Sequence, residues 1–289
     1  MARILFVGIA SVDIVNIVAD YPREDEKIRA ISQLVRRGGN AANSAVVMAQ
    51  LGHESHWIGM LAQDAQVNII LDDFARFGVQ HTHAVNMCSS HTPTSYITLA
   101  QKTGSRTIVH YRNLRELLAS DFSSVDVEQY DWIHFEGRNV SESYAMLREI
   151  RQRMGSNFPI SVELEKGRDN LESLLTFATL AFVSKEYWQS QAAQSVEFYL
   201  AALHQQYPHL DLISPMGAQG AWMLYQQEKQ ARFVPTPHQI QVVDSVGAGD
   251  TFNAAIICAL LNQQSLEEAV LFAHGVAAKK CQRFGFDLS

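Results

Sequence analysis

The chain has 289 residues, 47% hydrophobic and 18% charged, with 16 glycines, 7 prolines and a formal net charge of −7. That balance excludes a disordered or collagen-like chain. Acids and bases are interspersed with no basic stripe, so neither nucleic acid nor an anionic membrane surface is an expected partner, and no uninterrupted apolar run is long enough to span a bilayer. The first stretch, "RILFVGIA", is short, continuous and apolar, and predicts a buried parallel-type strand. Arg3 before apolar residues imitates a secretion signal, but it is a lone base and Asp13 interrupts the run. "IVNIVADYP" and "AISQLVRR" predict two further extended segments with partial alternation. "GGNAANSAVVMAQLG" predicts a helix opened by Gly39 and Asn40 and closed by Gly52.

"HWIGML" predicts a strand and "VNIILDDFARFG" an amphipathic helix ended by Gly78. "TPTSYITLA" and "SRTIVHYR", on either side of "QKTG", predict a β-hairpin. "YDWIHFEG", "PISVELEK" and "LAFVSKEY" read as strands, alternating with helices at "SYAMLREIRQRM" and "AQSVEFYLAALHQQY". "DLISPMGAQGAWML" reads as strand, turn, strand, and two helices, "DTFNAAIICALLN" and "SLEEAVLFAHGVAAKKC", close the chain. Strands alternating with helices predict an α/β fold, a mainly parallel sheet with helices on both faces. Residues 12–37 and 92–113 break the alternation and are assigned to a small appended β-sheet, the whole of 1–289 forming one unit. Cys88, Cys258 and Cys281 lack zinc-ligand or redox spacing, which predicts reduced thiols in a cytoplasmic protein.

Five stretches carry candidate chemistry. In "VVDSVGAGDTFNAA", residues 242–255, Gly247, Ala248 and Gly249 precede a helix, a ready cradle for an anion. Asp250 at its mouth has two readings, a helix N-cap or a base that takes a proton from a hydroxyl attacking phosphorus. As a base it must be ionised, and the helix dipole is expected to hold it so. No P-loop lysine is present. In "RRGGNAANSA", Asn40 and Asn43 lie three apart on one face of the first helical turn. With Gly38 and Gly39 they offer donors and acceptors suited to a polyhydroxylated ligand, and either also suits a helix cap. Asp13 follows the first strand, where α/β sheets usually bind ligands, or it is a solvated turn acid. Gly217 and Gly220 in "SPMGAQGAW" make a turn that a ligand could back onto. His81 and His83 are expected on one face of a strand, solvated for want of a third metal ligand. A dinucleotide fingerprint is absent, since "VGIASVDIV" supplies only Gly8.

Taken together, "RRGGNAANSAVVMAQLG" early and "VVDSVGAGDTFNAA" late resemble the two signature motifs of the ribokinase-like (PfkB-type) carbohydrate kinases. "DYPREDEKIRAISQ", "WIHFEGRN", "VELEK", "FVSK" and "VAAKKC…GFD" are similar to the ketohexokinase subfamily, which phosphorylates fructose at the 1-hydroxyl. The resemblance implies a three-layer α-β-α core with a β-sheet lid, ATP with Mg²⁺ and a small-molecule sugar; an exposed β-lid also invites pairing between subunits, so a homodimer through the lid is expected. It implies Asp250 as catalytic base and the amides of Gly247, Ala248 and Gly249 as anion hole. Asp13, Gly39, Asn40, Asn43 and Arg106 would contact sugar or phosphate. Lys185, Gly217, Gly220 and His274 would border the nucleotide, and Asp244 matches the position through which many relatives bind a monovalent cation such as K⁺. Where many relatives carry Asn-x-x-Glu, this chain reads Ser184-Lys185-Glu186-Tyr187, so the magnesium ligands stay unassigned. Ser105 and His274 replace an Asn and a Cys of the subfamily. A sugar- or nucleotide-sensing protein without turnover is the rival reading, and the retained Asp250 argues against it.

Overall fold

The structure, a computed structural model, describes residues 1–237 and 239–289. Eight strands make the main sheet. They are β1 (Arg3–Val7), β4 (Glu54–Ile58), β9 (Trp132–Phe135), β10 (Ile160–Leu164), β11 (Leu180–Val183), β12 (Asp211–Pro215), β13 (Gly220–Leu224) and β14 (Arg232–Pro235). Their order is β14-β13-β12-β11-β10-β9-β1-β4. All neighbours from β12 to β4 are parallel, while β13 and β14 extend the edge antiparallel. The hairpin around Gly217 and Gly220 was expected; β14 was not.

The strands read as continuous apolar runs because both faces are covered. In β1, Ile4 and Phe6 pack into one apolar cluster and Leu5 and Val7 into the other. The first cluster holds α1 (Asn40–Gln50), α2 (Val67–Phe77), α7 (Ala248–Leu261) and α8 (Leu266–Cys281) against one face. The second holds α4 (Val140–Met154) and α6 (Val196–Gln206), with the short α3 (Ala119–Phe122) and α5 (Lys185–Ser190) nearby. This is the expected three-layer α-β-α core. Helix α1 is buried from Ala41 to Met48, and its small residues let it lie against α7. Each fully buried Val or Met there contributes about 1.5–3 kcal/mol.

A separate four-stranded sheet, β3-β2-β7-β8, comprises β2 (Ser11–Val18), β3 (Ser32–Gly38), β7 (Thr94–Ala100) and β8 (Arg106–Tyr111). These strands fall in the two segments that broke the α/β alternation. "HWIGML" is not one strand. The chain leaves the main sheet at Gly59, where an added Cβ would lie 2.2 Å from the Gly8 carbonyl oxygen. It continues as β5 (Met60–Ala62), which pairs with β6 (Val85–Met87). His81 and His83 sit beyond the end of α2 rather than on a strand face, and His81 packs edge-on to Phe74 at 5.9 Å. "LAFVSKEY" is also shorter as a strand than expected. Ser184 caps α5 by accepting the Tyr187 N–H at 2.9 Å, so Lys185 begins a helix. Among the described residues no helix is long and apolar enough to cross a membrane.

Candidate active site

Strand β1 lies between β4 and β9, so the chain runs outward in both directions from it. A crevice beyond the carboxyl ends of the strands at such a switch point is where open α/β sheets bind ligands. Here it is a cavity of about 580 Å³. Its walls bring together Asp13, Gly39, Asn40, Asn43, Arg106, Gly247, Ala248, Gly249 and Asp250, drawn from opposite ends of the sequence. The small sheet covers it through the inward faces of β2, β7 and β8, which present Asp13, Ser95, Ile97, Ile108 and His110. At its tip Arg106 reaches the glycine-rich turn, its Nη1 3.4 Å from Ser245 Oγ.

The turn into α7 is built on two glycines with different tasks. Gly247 is the N-cap at φ 78°, and a Cβ there would strike the Phe286 ring at 2.1 Å. Gly249 faces open space, since an added Cβ would meet nothing within 4 Å. That space lies against the first turn of α7, whose amides have no helical partners. The Ala248 N–H donates to the Ser245 carbonyl at 3.2 Å, so this member of the expected anion hole is occupied. The opening over Gly249 leaves the positive end of the helix accessible, an arrangement that favours an anion such as phosphate.

Asp250 is not the helix cap: Gly247 holds that position, and Asp250 stands three residues on. Its Oδ2 accepts the Asn43 Nδ2–H at 2.5 Å, and its backbone oxygen accepts the Ser44 hydroxyl at 3.1 Å. Burial and the nearby Glu163 push its pKa well above the usual carboxylate range, against the Asn43 bond, with Glu165 and Glu136 adding to the rise. The helix dipole therefore does not set its charge, because desolvation and three acids outweigh a fractional charge at the helix end. Neither asparagine caps α1. The N-cap is Gly39 at φ 95°, where a Cβ would meet the Ile9 carbonyl oxygen at 2.4 Å. Asn40 Nδ2 instead donates to Glu163 Oε2 at 3.2 Å. Asp13 is no solvated turn acid: it sits within β2, 8% exposed. Burial raises its pKa, opposed by a hydrogen bond from Ser95 and by Arg36 and Arg37.

Three acids in the cavity wall, Glu136, Glu163 and Glu165, received no role from the sequence. Each stands at or just beyond the carboxyl end of β9 or β10, the same signal that drew attention to Asp13. Glu163 Oε1 accepts from Asn253 Nδ2 at 2.9 Å and lies 3.1 Å from Nε2 of the wholly buried His134. Asn253 Oδ1 is buried and finds no partner among the described residues. With Glu165 it offers hard oxygen donors suited to magnesium, which keeps several waters and binds through few protein groups plus phosphate. Among the described residues no three His, Cys, Asp or Glu side chains form a metal cluster.

The monovalent cation expected at Asp244 does not fit. Arg36 Nη1 lies 2.5 Å and the wholly buried Lys280 Nζ 3.2 Å from Asp244 Oδ2, and the Val246 and Gly285 amides donate at 3.0 and 3.2 Å. Against the upward push of burial, Arg36 and Lys280 hold this carboxyl below its usual range. A further cation would face two like charges. Lys185, Gly217, Gly220 and His274 lie outside the lining of the cavity. Lys185 and Gly217 are exposed, and His274 is buried against Phe252 with ring centroids 5.3 Å apart.

The model of the pfkB family of carbohydrate kinases matches residues 1–289. Mouse ketohexokinase is 37% identical over 294 residues, covering 99% of this chain and 98% of its own. The ribokinase of Bacillus subtilis is 25% identical, with 99% and 94% covered. Among solved structures, a ribokinase of Arabidopsis thaliana complexed with ribose and ATP superposes with a TM-score of 0.82 at 22% identity, covering 98% of this chain and 94% of that one. A chain described as a putative ribokinase, from Agrobacterium tumefaciens, gives 0.86 at 23%, with 98% and 92% covered. Motifs, fold and whole-length match agree: the chain belongs to the PfkB family of carbohydrate kinases.

Proposed function

We propose that the chain transfers the γ-phosphoryl group of ATP to a primary hydroxyl of a ketohexose such as fructose, giving the 1-phosphate. The observation that carries this reading is the placing of Asp250 and the amide-rich start of α7 in one cavity with Asp13, Asn40 and Asn43. The three polar side chains supply donors and acceptors for sugar hydroxyls. Asp250 takes the proton of the attacking hydroxyl, and the first turn of α7 stabilises charge on the transferring group. A base with a raised pKa suits this work, because proton transfer is most effective near the operating pH. Glu165 and Asn253 Oδ1 are the oxygens that would help hold a magnesium ion brought in with the phosphates, which would supply charge neutralisation. The small sheet excludes water from the transferring group, which suppresses hydrolysis of ATP.

The 37% identity to ketohexokinase favours fructose, and the ribokinase relatives keep pentoses and nucleosides as the second reading. A screen of ADP release over ketohexoses, aldohexoses, pentoses and ribonucleosides decides between them. Fructose should give the highest kcat/KM; a pentose or nucleoside ahead of it overturns the sugar, and no release with any substrate overturns the activity. Asn40→Ala should raise KM for the sugar by about tenfold or more, the worth of one or two hydrogen bonds, and KM for ATP far less. Equal effects on both would remove Asn40 from the sugar site.

A homodimer through the small sheet has support of its own. On the face turned from the cavity, Val35, Ile14, Tyr96 and Val109 form one row across the four strands. Val35 and Tyr96 are each 48% exposed and Val109 63%, an apolar stripe suited to pairing with its own copy. The three free thiols, Cys88, Cys258 and Cys281, agree with a reducing, cytoplasmic setting.

A further inference from the structure

Arg37 is wholly buried immediately before the glycine pair that leads into α1. Its Nε donates to Asp73 Oδ2 at 2.6 Å, and its guanidinium lies over the Phe286 ring at 5.0 Å. Its Nη1 donates to Asn43 Oδ1, and the other end of that amide, Nδ2, donates to Asp250 Oδ2 at 2.5 Å. The series Asp73–Arg37–Asn43–Asp250 thus runs from the edge of the protein to the cavity, each link a hydrogen bond.

The direction of these bonds matters. A primary amide has a donor and an acceptor end, and can exchange them by turning over. Against a lone carboxyl it can adopt either sense, because an ionised carboxylate needs a donor and a protonated one can itself donate. A guanidinium carries donors only, so only the amide oxygen can face Arg37. The N–H must then face Asp250. We infer that Arg37 is a positioning residue that locks the Asn43 amide with its N–H toward Asp250, with Asp73 anchoring the guanidinium.

This rests on Asp250 acting as the base. Locked so, Asn43 favours the ionised carboxylate, the form able to accept a proton, because a charged oxygen accepts the N–H more strongly than that of the protonated acid. The charges acting on Asp250 are Glu163 and Glu165 from the end of β10, Glu136 from beyond β9, and Arg37 from β3. The acids favour the proton on Asp250, so Arg37 works against them twice, by its charge and through the amide it orients. Arg37 lies outside the lining of the cavity, so it acts on Asp250 through Asn43 rather than on a ligand.

The test is the pH profile of kcat for Arg37→Met and Arg37→Lys beside the parent and Asp250→Asn. Arg37→Met should move the acid limb upward by about one pH unit, the scale of losing a charge and a hydrogen bond to the ionised form. It should lower kcat near neutrality about tenfold, while KM for sugar and ATP changes less than about threefold. Arg37→Lys presents donors only and should leave the limb near its parental place. Should Arg37→Met fail to fold by circular dichroism, Arg37→Gln, closer in shape and free to present an acceptor, gives the same reading. A folded Met or Gln variant whose acid limb and kcat match the parent overturns the inference. Asp250→Asn separates the two levels: its near-parental turnover sinks the base itself, whereas its inactivity beside an unmoved Arg37→Met profile sinks only the role of Arg37.

Discussion

Asp250→Asn is expected to fold, to bind sugar and nucleotide, and to lose phosphoryl transfer by roughly two to four orders of magnitude, the range for removing a positioned general base. The substitution is close to isosteric. The Asn43 N–H that now reaches Asp250 Oδ2 at 2.5 Å finds the amide oxygen of the new residue instead, so the buried network survives. Thr251 and Asn253, the next turn of α7, keep their packing. Electrostatics go further. Asp250 is 8% exposed and shares its cavity with Glu136, Glu163 and Glu165, so its negative charge is costly to the fold. Removing it should leave the melting temperature equal to the parent's or above it. A variant more stable and nearly inactive is the signature of a charge retained for chemistry. Two measurements check it: sugar binding by calorimetry, expected within about threefold of the parent, and turnover by coupled ADP assay. Turnover within about threefold of the parent would falsify the assignment of the base.

How much of this was legible in the sequence follows from the range over which each signal acts. β1 and α1 announce themselves through local pattern, an unbroken apolar run and a glycine-opened stretch of small residues. Gly247 is legible because its positive φ and the turn into the helix demand a glycine, and that demand is local; Gly249, where an added Cβ would meet nothing, is not demanded by the protein's own packing. "HWIGML" was misread because the periodicity of an apolar run cannot show that Gly59 turns the chain out of one sheet into another. His81 and His83 alternate like strand residues only on paper, since the segment is too short to pair there. Glu136, Glu163 and Glu165 went unread for a different reason. A single acid at the end of an apolar run has no partner in sequence, and only the order β10-β9-β1 sets these strand ends side by side. The same holds for Asp244, whose partners Arg36 and Lys280 lie 208 and 36 positions away. Resemblance alone supplied Lys185, His274 and Asp244, while the Gly217–Gly220 turn was also visible as a local signal; all five residues stand outside the lining of the cavity.

Glu136 makes the cavity's acidity measurable as stability. It follows β9, is 3% exposed, and its Oε2 accepts the Ile9 N–H at 2.8 Å and the Ala41 N–H at 3.4 Å. It therefore ties the segment after β1 to the start of α1, which carries Gly39 and Asn40. Burial pushes its pKa up to about 8, with Arg138 pulling downward and Glu163 pushing further up. The folded chain thus binds this proton more tightly than the unfolded chain does, whose carboxyl titrates near 4.5. Stability from this group is whole below about pH 4.5 and is lost as pH rises toward about 8. At about 1.4 kcal/mol per pH unit the complete loss is on the order of 5 kcal/mol. Glu136→Gln keeps an oxygen for the Ile9 amide and removes the titration. Urea unfolding of parent and variant at about pH 5 and about pH 8 should show the parent losing about 3 kcal/mol relative to the variant across that interval. Parallel behaviour of the two proteins would mean that the ionised carboxylate is housed there at no cost. Glu136 is also one of the acids that raise Asp250, so the same variant should move the acid limb of turnover downward. One substitution then reports on both the fold and the base, and the two shifts must run in opposite senses: stability gained toward high pH, activity gained toward low.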